Sequence, residues 1–122
     1  MSLHRDVMHI IHHAIDAVLP EHAVKEQLRK KPCEGRVILV SIGKAAWRMA
    51  RAAVDVLGDQ VAKGVVITKY EHSQGPIKKL SIWEAGHPLP DENSLKATSE
   101  ALEITENLSP RDQVLFLVSG GG

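Results

Sequence analysis

Aromatic residues are scarce in this chain: two Trp, one Tyr and one Phe among 122 residues, 3% in all. That scarcity excludes the stacking platforms with which single-strand nucleic-acid readers hold bases, and it requires a mostly aliphatic core. A lone cysteine, Cys33, excludes an intrachain disulfide framework and fits a reducing compartment. Net charge is missing too. Fifteen Lys+Arg balance fifteen Asp+Glu with no long block of one sign, so the electrostatic footprint of a nucleic-acid binder is not present. No apolar run approaches the roughly 18 residues of a membrane span, and no basic flank followed by an apolar core marks the N-terminus. These absences point to a cytoplasmic location, with neither nucleic acid nor membrane as a partner.

What is present has the composition of a globular domain. Apolar residues make up 43% and charged residues 25%, and a chain of this size can bury a workable core. Apolar residues at 7, 10, 11, 14, 15 and 18 follow helical spacing, so RDVMHIIHHAIDAVLP is expected to form an amphipathic helix ending before Pro20. A second helix is expected over Glu21 to Lys30, broken by Lys31-Pro32. RVILVSI has the continuous β-branched character of a strand buried on both faces, as parallel sheets use. Ala45 to Leu57 reads as a helix closed by Gly58. GVVITK and LSIWEAG follow as strands, Asp91 to Leu108 as a long helix, and DQVLFLV as a last strand. Helix and strand alternate with no Asn-Gly hairpin signal, which predicts βαβ units: an α/β, Rossmann-like three-layer sandwich with a mostly parallel sheet.

Ligands of such sheets sit beyond the carboxyl ends of the strands, and three of those ends carry unusual residues: SIGKAA, EAGHPLPDENS and SGGG. In Ser119-Gly120-Gly121-Gly122 the glycines allow the backbone to approach a ligand closely, and a following helix would present amides to an anion. A tight turn or a flexible tail is the plainer reading; the buried strand directly before it favours a phosphate loop. Gly43-Lys44 also follows a buried strand and opens a helix, where a lysine can bring positive charge to a phosphate or carboxylate. This is not a Walker A loop, because Ile38 stands where the first glycine is required and Ala45 where Ser or Thr should hold Mg²⁺; no GxGxxG occurs either.

His87, in Gly86-His87-Pro88, has two readings: a donor or acid–base group near neutral pH, or a histidine fixing its turn through loop backbone. Ser94 or Asp91 reads as a helix N-cap rather than as a catalytic group. His9 and His13 are one helical turn apart, but with His12 they fall on the polar face of the expected helix, with no thiolate or carboxylate cluster spaced for zinc. They read as a solvated face, and no metal ligand is assigned. His72 is undecided, and Trp47 and Trp83 read as packing residues.

Taken together, VSIGKAAWRMA, GVVITKY, EAGHPLPDENSLKA and VLFLVSGGG, in that order and spacing, resemble the N-terminal domain of the class II glycerate kinases, the glycerate 2-kinase family, some of whose members carry the name hydroxypyruvate reductase. The resemblance implies that residues 1–122 are the N-terminal α/β domain of a two-domain, ATP-dependent kinase, with ATP and glycerate meeting in the cleft between domains. It implies transfer of the γ-phosphoryl group to the 2-hydroxyl of D-glycerate, with Mg²⁺. The family's GKAA lysine falls on Lys44, its glycine-rich phosphate loop on Ser119, Gly120, Gly121 and Gly122, and its GHP turn on Gly86, His87 and Pro88. Lys44 would neutralise phosphate or substrate-carboxylate charge, the role such transfers require. Glu71 stands where many relatives have Gly, and relatives continue past SGGG into a second domain, so the chain reads as a truncated front half that is inactive alone. Two other readings remain: a hydroxypyruvate reductase, against which the missing GxGxxG counts, and a non-catalytic anion-binding module that self-associates as a homo-oligomer.

Overall fold

The structure, a computed structural model, describes residues 8–13, 19–70, 72–85 and 91–119; of the side chains in 8–13, it describes that of Ile11. Among these residues five strands form one sheet: β1 (Met8–His13), β2 (Arg36–Ile42), β3 (Val61–Lys69), β4 (Leu80–Ala85) and β5 (Asp112–Ser119). Among the described residues three α-helices cover it: α1 (Pro20–Lys30), α2 (Ala46–Leu57) and α3 (Glu92–Ile104). The strand order is β1-β5-β2-β3-β4 and every pairing is parallel. The α/β three-layer expectation is therefore met, with a sheet that is wholly parallel among the described residues.

The central strand shows why. Val37, Ile38, Leu39 and Val40 of β2 are at most 1% exposed, so both faces of the strand must be covered, and a β-branched run without alternation is what that position selects. One cover comes from α2. Its buried Ala46, Met49, Ala50, Ala53 and Leu57 recur at helical spacing and join Val37, Leu39, Leu115 and Leu117 in one core cluster, with Val24 and Leu28 of α1 beside them. Leu80 and Ile82 of β4 pack against the same cluster, whereas Ser81 Oγ and Trp83 Nε1 donate to Glu100 of α3 at 2.9 and 2.6 Å. Alternate residues of one strand thus meet helices on opposite faces.

One sequence expectation is overturned. The segment read as an amphipathic helix from its apolar spacing holds strand β1, paired in register with β5 from Met8↔Val114 to His13↔Ser119. The outer edge of β5 offers a full row of backbone donors and acceptors, and Ile10 and Ile11 are β-branched; satisfying that edge outweighs a periodicity shared by only a few residues. His9, His12 and His13 therefore lie on a strand and not on the polar face of a helix. Smaller adjustments occur at ends: α1 starts at Pro20, whose fixed φ suits the first helical position, and α3 stops at Ile104 rather than Leu108.

Candidate functional site

Because all strands are parallel, their carboxyl ends lie along one edge. The last rung there pairs Ile42 with Ile67 on one side and with Val118 on the other. One residue further, Gly43 sits between Thr68 and Ser119. Its amide extends the ladder by one bond, donating to Ile67 O at 3.0 Å, and then the chain turns with φ +122° to enter α2. A glycine is required twice over. The dihedral is in the region L side chains avoid, and a Cβ would meet Ser119 Oγ and stand 2.7 Å from Ser119 O.

Lys44 occupies the apex of this turn with an exposed side chain. The backbone around it is held from three strands. Ser41 Oγ, fully buried, donates to Ala46 O at 2.8 Å. Thr68 Oγ1, from β3, donates to Lys44 O at 3.3 Å. Ser119 Oγ, from β5, accepts from Ala45 N at 3.0 Å and makes a long 3.5 Å contact with Ile42 O. At the start of α2 no side chain caps the helix and the first turn holds no acidic residue, so the positive end of its dipole is not offset locally. Arg48, also in the first turn, is engaged: its Nε and Nη2 donate to Glu21 Oε2 at 3.2 and 2.8 Å. Among the described residues no carboxylate pairs with Lys44. An exposed cation above an uncapped helix start is an arrangement suited to an anion.

A second group of polar side chains lies along the same edge, past β3. Tyr70 Oη donates to Asp91 Oδ2 at 2.6 Å and accepts from Asn93 Nδ2 at 3.2 Å; Asn93 Nδ2 also reaches Glu84 O at 3.1 Å. The hydrogen bond to the Asp91 carboxylate pushes the Tyr70 phenol above its ordinary value. Asp91 caps α3 as expected, in a reciprocal box with Ser94. Tyr70, Glu84 and Asn93 border an open cleft of about 630 Å³ that runs along β4 past Trp83 and Pro76. His72 Nδ1 lies 3.0 Å from Tyr70 O in the adjoining loop. Trp47 and Trp83 are partly buried, each with its ring N–H bonded, to Gly75 O and Glu100 respectively.

Of the residues singled out in the sequence, Gly43, Lys44 and Ser119 are brought together at the edge. Gly86, His87 and Pro88, Glu71, and Gly120, Gly121 and Gly122 lie outside the described residues. Sequence reasoning passes over Ser41 and Thr68, since a hydroxyl residue in a β-branched run reads as ordinary strand. The available signal is position: each stands one residue before the carboxyl end of its strand.

The chain has close relatives. A D-glycerate 2-kinase of Thermotoga maritima is 55% identical over 121 residues, covering 99% of this chain and 29% of that protein. A crystal structure of a glycerate kinase from Thermotoga maritima matches with a TM-score of 0.81 and 59% identity, over 85% of this chain and 25% of the other. A protein of Agrobacterium vitis that bears a hydroxypyruvate reductase name is 38% identical over 109 residues, 89% of this chain and 24% of that one. The chain thus spans less than a third of the length of these relatives, and the matched stretch is their N-terminal part. Its matched span, residues 6–122, places it in a family: the chain belongs to the family described as domain of unknown function DUF4147.

Proposed function

We propose that these residues form the N-terminal α/β domain of a two-domain, ATP-dependent glycerate 2-kinase. Lys44 and the start of α2 take the charge of a phosphate or of the glycerate carboxylate. The observation that carries the reading is the Gly43–Ala45 turn: an exposed lysine with no ion pair among the described residues, on an uncapped helix start, in a chain 55% identical to a D-glycerate 2-kinase. In this reading the γ-phosphoryl group of ATP passes to the 2-hydroxyl of D-glycerate, giving 2-phosphoglycerate. The helix amides and the Lys44 ammonium meet the charge that spreads over the transferring oxygens, a task of positioning and electrostatics rather than covalent chemistry.

The residues present fit an anion. Among the described residues no cluster of three or more His, Cys, Asp or Glu side chains offers Mg²⁺ a donor set, so these residues do not fit the metal as protein ligands. Gly120, Gly121 and Gly122 belong to the reading as further phosphate-binding backbone, and His87 as a substrate-binding side chain. A cytoplasmic location belongs to it as well; no helix among the described residues is long and apolar enough to cross a membrane. Residues 1–122 alone are expected to be inactive, with the remaining catalytic groups supplied from elsewhere in the kinase.

The test is product identification. The full-length protein, given ATP, Mg²⁺ and D-glycerate, should yield 2-phosphoglycerate, and residues 1–122 alone should yield none. Turnover of NAD(P)H with hydroxypyruvate in place of phosphorylation would replace this reading with the reductase one that the Agrobacterium vitis name carries.

A further inference from the structure

The carbonyl of Lys44 and the amide of Ala45 are the two ends of one peptide group, and each is held by a side-chain hydroxyl from a different strand. Thr68 Oγ1 donates to the carbonyl at 3.3 Å, and Ser119 Oγ accepts from the amide at 3.0 Å. β3 and β5 lie on either side of β2, so the peptide is gripped from left and right at the point where the central strand ends. Thr68 is 2% exposed, and with a planar peptide a fixed C=O and a fixed N–H leave little freedom of rotation about the flanking bonds. That orientation sets the direction in which the Lys44 side chain leaves the backbone. Among the described residues nothing else constrains that side chain, since it has no ion pair there and is exposed.

We propose that Thr68 and Ser119 are positioning residues for Lys44, acting through the Lys44–Ala45 peptide. The inference rests on the kinase reading for its catalytic consequence, though not for its geometry. It gives Ser119 a role different from that of a direct phosphate ligand. The hydroxyl is committed to the neighbouring turn, and it links the end of β5 mechanically to the lysine turn.

The test uses Thr68→Val, Thr68→Ser and Ser119→Ala in the full-length protein, each alone and with Lys44→Ala. The first readout is amide hydrogen exchange. Thr68→Val and Ser119→Ala should raise the exchange rate at Ala45 roughly tenfold or more while Leu39 and Val40 in β2 keep theirs, and Thr68→Ser should behave as wild type. The second readout is kinetic. Thr68→Val and Ser119→Ala should lower kcat by roughly ten- to a hundredfold, as misplacement of a reacting group does, and should cause no further loss once Lys44 is Ala. Unchanged exchange at Ala45 overturns the proposal. So do losses that multiply in the Lys44→Ala background, or a Thr68→Ser variant as impaired as Thr68→Val, because either would show packing at work rather than the hydroxyls. If Lys44→Ala leaves phosphorylation intact, the kinase role of Lys44 fails, and Ala45 exchange alone then decides whether the two hydroxyls hold the peptide.

Discussion

Gly43 shows how much one residue can decide. Its φ of +122° and the closeness of Ser119 leave no room for a Cβ, so Gly43→Ala must either unwind the turn or expel the Ser119 hydroxyl from its bond with Ala45. The strained dihedral alone costs roughly 1–3 kcal/mol, and the loss should show as a lower midpoint in denaturant unfolding with an unchanged slope. The residue types at this turn were readable from the sequence: a glycine and a lysine between a buried strand and a helix is a local pattern. The partners of the turn were not, because Thr68 and Ser119 come 24 and 74 residues away from their bonding partners in the chain. They reach Lys44 and Ala45 only through the register of two long-range parallel pairings.

Elements depend on their ends. Asp91 closes the start of α3 by accepting from Ser94 N at 3.0 Å while Ser94 Oγ accepts from Asp91 N. Asp91→Ala should therefore cost about 1–2 kcal/mol, visible in a thermal melt, and should also take from the Tyr70 hydroxyl its carboxylate acceptor, leaving the bond from Asn93. At the opposite edge of the sheet, Asp112 opens β5 with a side chain only 5% exposed. It accepts from Ser109 N at 3.0 Å, and from Arg36 Nε and Nη2 at 2.9 and 3.2 Å. The Ser109 backbone bond first, and then the Arg36 guanidinium, hold its carboxyl below the ordinary 3.8. A depressed carboxylate stabilises the fold fully above its unfolded value and loses that contribution as pH falls through the folded one. Asp112→Asn should thus lower stability by about 1–3 kcal/mol at neutral pH, with the gap to wild type closing below about pH 4. The element the sequence misleads about is β1. Its apolar spacing is a local helix signal, whereas its strand conformation is set by the open edge of β5, which comes about a hundred residues later in the chain. RVILVSI needed no such help, since a strand buried on both faces carries its signature in its own composition.

For the whole molecule, alternation of helix and strand was enough to predict a layered α/β sheet, but not the order β1-β5-β2-β3-β4. Strand order arises from which edges find each other, and no local pattern encodes that β5 inserts between β1 and β2. The consequence for function is large. Insertion of β5 beside β2 is what brings Ser119 to the Lys44 turn, while β3 brings Thr68 from the other side. A neutral chain, with fifteen charges of each sign, thereby gathers at one edge of its sheet an uncapped helix start and a cation with no ion pair among the described residues, where a ligand of an α/β domain is expected. The most direct test is the rate of ATP-dependent D-glycerate phosphorylation by the full-length protein carrying Lys44→Ala, compared with wild type at matched stability. A fall in kcat/KM of roughly a hundredfold or more is the predicted result, the scale of losing a charge aimed at the transition state. A rate within about twofold of wild type, well under 1 kcal/mol of transition-state stabilisation, would contradict the placing of the site at Lys44.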